Sequence, residues 1–191
     1  MKNTAADKIL RLSEKLGALQ YGDFTLSSGA KSTYYFDGRI ISLHPEGSYW
    51  LGEAFLEAIK GTDIVAVGGP ATAAIPIVTS VSLVSYIKGS PINSFFVRSE
   101  AKGYGTNKQI EGSLEPGSAV MILDDVCTSG GSLFTAINAV EAEHCRVDRV
   151  MAVLDRLQGG SDEIRKRGYI FSSILVPDSN GKVRVSSEIS G

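Results

Sequence analysis

The stretch VMILDDVCTSGGS, residues 120–132, joins an apolar run, two adjacent carboxylates and a turn of small and hydroxyl residues. The apolar run lacks the polar alternation of a half-exposed strand, so it predicts a strand covered on both faces, as in a parallel sheet. The glycines and hydroxyl residues that follow predict a tight turn that opens a helix. A buried strand, a turn and a helix in this order form the repeating unit of an α/β fold.

Further units of the same kind lie on both sides of this stretch. The strands predicted from apolar runs are DIVAV (63–67), NSFFV (93–97), AVMIL (119–123) and RVMAVL (149–154), with a last strand at 169–176. The helical patterns between and after them cover residues 72–87, 131–144 and 161–168. The predicted architecture is therefore α/β, with an open and mainly parallel sheet flanked by helices.

The residues before the first of these strands follow other patterns. Apolar residues at helical spacing predict a helix over 4–17 and a second helix from Pro45 to about residue 60. Between them, the segments 23–27 and 33–38 predict a short hairpin. This hairpin forms a small N-terminal hood over about residues 18–40.

Length and composition indicate a single domain over residues 1–191. The chain is 43% hydrophobic and 21% charged, which supplies enough apolar residues for a sizeable core. A formal net charge of −2 predicts neither a nucleic-acid partner nor attraction to an anionic membrane surface. No apolar stretch approaches the roughly 18 residues of a membrane-spanning helix, so a cytoplasmic location is expected. Residues 178–191 are polar and predict a loosely held tail.

The acidic pair and the turn after it indicate a binding site for a sugar phosphate. Residues 128–132 can present backbone N–H groups and hydroxyls at a helix N-terminus, which suits a phosphate dianion. Asp124 and Asp125 would repel that phosphate, so their expected partner is a neutral diol or a hydrated divalent cation. Carboxylates for a diol beside amides for a phosphate describe a ribose 5-phosphate. A helix cap followed by an ordinary turn is the alternative interpretation of the same residues.

Three other phosphate motifs do not fit. A Walker A loop needs a lysine after its last glycine, and Ser132 follows Gly131. A cysteine phosphatase loop headed by Cys127 would need an arginine at position 133, which is leucine. The glycines at 103 and 105 lack the third glycine of a dinucleotide-binding turn.

The 120–132 stretch resembles the phosphoribosyl pyrophosphate signature of the type I phosphoribosyltransferase family. Within that family, FFVRSEAKGYGTNKQIEG (95–112) resembles the mobile catalytic loop of orotate phosphoribosyltransferases, here at about residues 98–111. FTLSSGAKSTYYFDGR (24–39) is similar to their hood, and GGPATAAIPI (68–77) to their pyrophosphate-facing loop. The resemblance implies a type I phosphoribosyltransferase-like fold.

The resemblance also implies a role for each matching residue. The positions implied to bind the donor, phosphoribosyl pyrophosphate, are Arg98, Ser99, Lys102, Tyr104, Asp124, Asp125, Val126, Cys127, Thr128, Ser129, Gly130, Gly131 and Ser132. Those implied to bind orotate are Thr128, Arg156, Tyr35 and Phe36. The catalytic residues implied are Lys102, Arg98 and Asp125. Many family members carry lysine where this chain has Ser27, Ala73 and Ser99, so its pyrophosphate end has fewer positive charges.

The implied reaction transfers ribose 5-phosphate to N1 of orotate in pyrimidine biosynthesis. Mg²⁺ is the implied cofactor; it is carried by the donor diphosphate and bridged through water to Asp124 and Asp125, with no direct protein ligand. A homodimer with shared active sites is also implied. Two alternatives remain: transfer to a purine base, and a non-catalytic regulator of the same fold that senses phosphoribosyl pyrophosphate.

Overall fold

The computed structural model describes residues 3–25, 29–100 and 109–189. Its strands are β1 (Leu19–Thr25), β2 (Lys31–Phe36), β3 (Ala66–Pro70), β4 (Asn93–Val97), β5 (Ile110–Gly112), β6 (Ala119–Cys127), β7 (Arg146–Asp155), β8 (Ile170–Pro177) and β9 (Val183–Val185). Its α-helices are α1 (Ala5–Lys15), α2 (Gly38–Ser42), α3 (Pro45–Ala58), α4 (Ala74–Ile87), α5 (Gly131–Ala142) and α6 (Gly160–Lys166). A short 3₁₀ helix, Ser187–Ile189, follows β9.

Within these ranges, seven strands form one open sheet in the order β5-β4-β3-β6-β7-β8-β9. The neighbours from β4 to β8 pair in parallel, whereas β5 and β9 pair antiparallel at the two edges. The helices α4, α5 and α6 connect successive parallel strands. The predicted α/β class, with a mainly parallel sheet, is confirmed.

Strand β6 lies at the centre of the sheet, between β3 and β7. Met121 and Leu123 pack into a core cluster on one face, while Val120 and Ile122 pack into another on the opposite face. All four side chains are 0% exposed. Because a parallel arrangement brings the carboxyl ends of the strands to one edge, the residues that follow β3, β6 and β7 meet there.

The hood is the antiparallel pair of β1 and β2, with Leu19 opposite Phe36. The Asp37 N–H donates to the Ala18 carbonyl at 2.9 Å, so the hood closes on itself before α2 begins. Helix α1 starts with a capping box between Thr4 and Asp7 and packs against α3. The predicted hairpin is present; β1 is longer than the predicted segment 23–27, and β2 starts two residues earlier than the predicted segment 33–38.

The prediction of a loosely held tail was wrong for the described part of residues 178–191. Val183 is 2% exposed, because β9 pairs with β8 and its side chain joins the core. The Ser186 N–H donates to the Ile174 carbonyl at 2.9 Å, and the Val183 N–H donates to the Tyr21 hydroxyl at 3.1 Å. Two isolated valines in a polar segment carry too little periodicity to predict this edge strand.

Among the described residues, no helix combines the length and apolar character needed to cross a membrane.

Candidate active site

The acidic pair lies near the carboxyl end of β6, where the sheet opens to solvent. Asp124 is 4% exposed, and Asp125 is half-buried beside it. One carboxylate oxygen of Asp124 accepts the Ser132 hydroxyl at 2.8 Å, and the other accepts the Asp125 N–H at 2.9 Å. Asp124 therefore ties the end of the strand to the first turn of α5.

Burial changes the charge of this pair. Burial first, and then the neighbouring Asp125 carboxylate, raise the pKa of Asp124 to about 7. Burial also raises the pKa of Asp125, with Asp37 acting in the same direction, although the Val126 N–H and Asp124 partly oppose the shift. At neutral pH the pair therefore holds less than its full negative charge.

The turn after β6 presents an open helix N-terminus. Gly130 has a left-handed backbone, with φ of 81°, and α5 begins at the next residue without a side-chain cap. Ser129, Gly131 and Ser132 are exposed, so the N–H groups of the first turn face solvent. This arrangement can receive a phosphate group.

Cys127 is placed differently from the rest of the predicted donor site. Its side chain is 0% exposed and packs in the core cluster with Leu133 and Ile164. Burial raises the pKa of the thiol to about 12, so the sulfur stays protonated. Only the backbone of Cys127 can contact a ligand. Val126 and Thr128 on either side are half-buried.

Arg156 follows β7 and lies beneath the hood. Its backbone N–H donates to the Cys127 carbonyl at 2.9 Å, and its guanidinium carbon lies 5.1 Å from the centre of the Tyr34 ring. The residue is only 9% exposed, yet its Nη1 has no hydrogen-bond partner among the residues that the structure describes. A buried cationic donor without an acceptor is suited to an anionic ligand.

The hood supplies a second wall to this edge of the sheet. Tyr35 is 37% exposed and its ring lies 5.7 Å from that of Phe24, whereas the side chain of Phe36 is 4% exposed. Phe36 can therefore reach a ligand only through its backbone. Asp37 caps α2 and forms a two-pronged ion pair with Arg39, with both N–O distances at 2.9 Å.

The predicted mobile loop leaves the sheet between β4 and β5. At its base the Arg98 N–H donates to the Gln109 carbonyl at 2.9 Å, and the Arg98 guanidinium lies 3.5 Å from the Glu111 carboxylate. Ser99 is exposed. Lys102 and Tyr104 lie outside the described residues. The structure therefore places the base of this loop beside β3, on the same edge of the sheet as the acidic pair.

The structure adds residues that the sequence pattern did not single out. Tyr34 is 5% exposed and stacks on Arg156, and the side chains of Asp37 and Arg39 act on the charge of Asp125. The resemblance implied roles for Tyr35 and Phe36 of the hood, but no spacing rule links Tyr34 to Arg156, which lies more than a hundred residues later.

The parallel sheet, the hood and the open turn after an acidic pair together define a type I phosphoribosyltransferase. No model of a protein family matches the chain. The orotate phosphoribosyltransferase of Rhodopirellula baltica is 41% identical over 157 residues, which cover 79% of this chain and 81% of that protein. The chain belongs to the orotate phosphoribosyltransferase family.

Solved structures agree with this assignment. The orotate phosphoribosyltransferase of Mycobacterium tuberculosis in complex with Fe(III) dicitrate has a TM-score of 0.79 and 33% identity, covering 90% of this chain and 96% of that one. The same enzyme in complex with 5-phospho-alpha-D-ribosyl 1-diphosphate has a TM-score of 0.74 and 31% identity, covering 90% and 96%.

The purine alternative finds support at the level of fold alone. An adenine phosphoribosyltransferase from Thermoanaerobacter pseudethanolicus has a TM-score of 0.60 at 15% identity, covering 87% of this chain and 98% of that one. The comparisons therefore favour orotate over a purine base as the acceptor.

Proposed function

We propose that this chain transfers ribose 5-phosphate from 5-phospho-α-D-ribose 1-diphosphate to N1 of orotate, giving orotidine 5′-monophosphate and pyrophosphate. This is a step of de novo pyrimidine biosynthesis. One observation carries the proposal: the acidic pair with its open helix N-terminus lies at the same edge of the sheet as the Arg156 guanidinium, whose Nη1 has no hydrogen-bond partner among the described residues. The first suits a ribose 5-phosphate and the second a carboxylate.

The donor is held in two parts. Asp124 and Asp125 accept hydrogen bonds from the ribose hydroxyls, and the backbone N–H groups of residues 126–132 surround the 5-phosphate. Cys127 takes part through its backbone, because its thiol is buried in the core. The Ser132 hydroxyl donates a hydrogen bond to Asp124, so it links the two parts of the site.

Orotate lies between Arg156 and the hood. The guanidinium fork binds the orotate carboxylate, Thr128 contacts the base, and the backbone of Tyr35 and Phe36 lies along the pyrimidine. The carboxylate of orotate is ionised at neutral pH, whereas N1 carries a proton. N1 loses this proton as the C1–N1 bond forms, and the departing pyrophosphate or solvent water takes it up. The buried guanidinium of Arg156 selects orotate over a purine base, because a purine has no carboxylate to accept its hydrogen bonds.

The chemical step breaks the bond between ribose C1 and the diphosphate oxygen and forms the C1–N1 bond. The bonding electrons leave with pyrophosphate, and positive charge develops on the ribose ring. Arg98 and Lys102, with Ser99 and Tyr104 beside them, stabilise the leaving diphosphate when the loop closes. Asp125 faces the ribose and offsets its positive charge.

Mg²⁺ would be held as a complex with the donor diphosphate, and Asp124 and Asp125 are the side chains that would bind its waters. Among the described residues there is no group of three or more histidine, cysteine or acidic side chains that could hold a metal ion. Both oxygens of Asp124 already accept hydrogen bonds. These residues fit a cation that keeps several of its waters, which the acidic pair can bind. When bound, Mg²⁺ would neutralise part of the charge of the departing diphosphate.

The proposal includes a homodimer in which the two subunits share their active sites. It also places the chain in the cytoplasm. Helix α4 carries apolar side chains on its outer surface: Leu83, Tyr86 and Ile87 are 59%, 74% and 68% exposed. A second copy of the chain is the expected partner for this surface. Sedimentation should show a dimer that Tyr86→Glu converts to monomers. Mixing a Lys102→Ala chain with an Asp125→Asn chain should restore activity if sites are shared between subunits.

The direct test is orotate consumption, followed by absorbance with donor and Mg²⁺ present. We expect consumption that disappears in Asp124→Asn and persists in Asp148→Asn, a β7 residue whose carboxylate pairs with Arg146. Consumption of adenine, guanine or hypoxanthine instead would establish the purine alternative. Donor binding without turnover of any base would establish the regulator.

A further inference from the structure

Two glycines outside the acidic signature lie directly against it. Gly38 opens α2 at the end of the hood, and Gly160 opens α6 after β7. Both are buried. Neither has a left-handed backbone, so an alanine at either position meets no backbone strain. The space around each glycine alone decides what a side chain would do there.

Gly160 lies against the backbone of the turn after β6. A Cβ atom at Gly160 would lie 2.6 Å from the Thr128 carbonyl oxygen and 2.7 Å from the Gly130 nitrogen, whereas real Cβ atoms essentially never approach closer than 3.0 Å. The Gly160 N–H also donates to the Thr128 carbonyl at 3.0 Å. An alanine would therefore push the turn itself, because no flexible side chain stands between them.

Gly38 lies against Asp125 in the same way. A Cβ atom at Gly38 would lie 2.6 Å from the Asp125 Cβ and 2.9 Å from its Oδ2. The neighbours of Gly38 in sequence, Asp37 and Arg39, are charges at the start of α2 that act on Asp125. An alanine would move the carboxylate or lift the hood away from it.

We infer that Gly38 and Gly160 are positioning residues for separate halves of the donor site: Gly38 for the ribose half and Gly160 for the phosphate half. The inference rests on the proposed function for the identity of the ligand. The two glycines belong to segments far apart in sequence, and the three atoms nearest to a Cβ at each position all lie in one half of the site. Substituting one glycine at a time therefore separates a loss of ribose binding from a loss of phosphate binding, whereas a change within residues 124–132 would combine the two.

The test measures equilibrium binding of two probes, ribose 5-phosphate and inorganic phosphate, by NMR titration. Gly160→Ala should weaken both probes by about tenfold to a hundredfold, the order expected when one hydrogen bond to a charged phosphate is lost. Gly38→Ala should weaken ribose 5-phosphate by a similar factor and leave inorganic phosphate unchanged. Equal losses of both probes in Gly38→Ala, or unchanged phosphate binding in folded Gly160→Ala, would overturn the inference.

Gly52→Ala is the matched control. Gly52 is a buried glycine of α3 whose Cβ would lie 2.7 Å from the Val84 side chain and 2.9 Å from the Ser80 carbonyl. The same alanine substitution there crowds helix packing without contacting the donor site. It should lower the unfolding temperature and leave both affinities at the wild-type value. A loss of affinity in this control would show that general loosening, and not positioning, explains the results.

Hydrogen exchange of the unmodified chain gives a second test if a variant does not fold. Inorganic phosphate should slow exchange of the Gly160 amide and leave the Arg39 amide, which donates to Asp37, unchanged. Ribose 5-phosphate should slow both amides. Slowing of both by inorganic phosphate alone would refute the separation. These probes also distinguish the inference from the proposed function, since a chain that binds ribose 5-phosphate in this pattern without consuming orotate would refute only the latter.

Discussion

Replacing Arg156 by alanine removes the guanidinium that we propose as the binding group for the orotate carboxylate. A hydrogen bond to a charged group contributes about 1.5–3 kcal/mol, and a guanidinium fork forms two of them with a carboxylate. At about 1.4 kcal/mol for each tenfold change, Arg156→Ala should raise the KM for orotate by at least about a hundredfold. The KM for the donor should change less than about threefold, because Arg156 does not contact its expected position.

The effect of this substitution on folding is small by comparison. Arg156 stacks on Tyr34 at 5.1 Å, a contact that contributes about 0.5–2 kcal/mol. Because each kcal/mol shifts the unfolding temperature of a chain of this size by about 2–4 °C, the variant should remain folded at 25 °C.

Initial rates at varied orotate and donor concentrations measure both Michaelis constants. Arg149→Ala is the control. Arg149 is half-buried, and its Nε, like Nη1 of Arg156, has no hydrogen-bond partner among the described residues, but its Nη1 donates to the Ala58 carbonyl, away from the site. An unchanged KM for orotate in Arg156→Ala, with activity retained, would refute the assignment of Arg156.

Three further predictions concern charge, reactivity and the chain end. Because the pKa of Asp124 rises from 3.8 to about 7 on folding, the folded state binds its proton more tightly. This group therefore lowers the free energy of unfolding as pH rises from about 4 to 7, by up to about 1.4 kcal/mol per pH unit. Urea unfolding of Asp124→Asn should show a smaller decline over this range, with the contribution of Asp125 remaining, and parallel curves for both proteins would contradict the prediction. Burial raises the pKa of the Cys127 thiol to about 12. In the folded Cys145→Ser variant this thiol should therefore resist a disulfide reagent at pH 8, and it should react once the chain is unfolded in urea. Reaction before unfolding would show that the thiol is accessible. Val183→Ala should lower the free energy of unfolding, measured in urea, by about 2 kcal/mol, because Val183 is 2% exposed. Replacing the exposed Arg184 by alanine should lower it little. Equal small losses in the two variants would mean that β9 is loosely held.

Much of the fold was predictable because buried parallel strands have a strong local signal. The apolar runs at 93–97 and 119–123 coincide with β4 and the buried part of β6, and Pro45 begins α3 as expected. The strand predicted at 63–67 begins later, at Ala66. The five-residue helix α2 and the edge strand β9 were missed, since so few residues show no periodicity and depend on tertiary contacts.

The chemical groups of the site were predictable for a different reason. Two adjacent carboxylates and a glycine-rich turn follow one another in the chain, so the sequence alone brings them into one candidate site. The structure places Asp124, Asp125 and residues 128–132 together. Spacing could not reveal that the Cys127 thiol turns into the core or that Tyr34 stacks on Arg156. Those contacts depend on which face of a strand a residue occupies and on what the sheet order brings beside it.

The charge of the site depends on contacts that sequence spacing does not reveal. Two full negative charges beside a bound phosphate would oppose donor binding. Burial raises the pKa of both aspartates, so the pair holds less than that charge at neutral pH. Part of that burial comes from α2, because Gly38 allows this helix to lie directly on Asp125. A glycine 87 positions before the carboxylate thus helps to set the charge with which the site meets its donor.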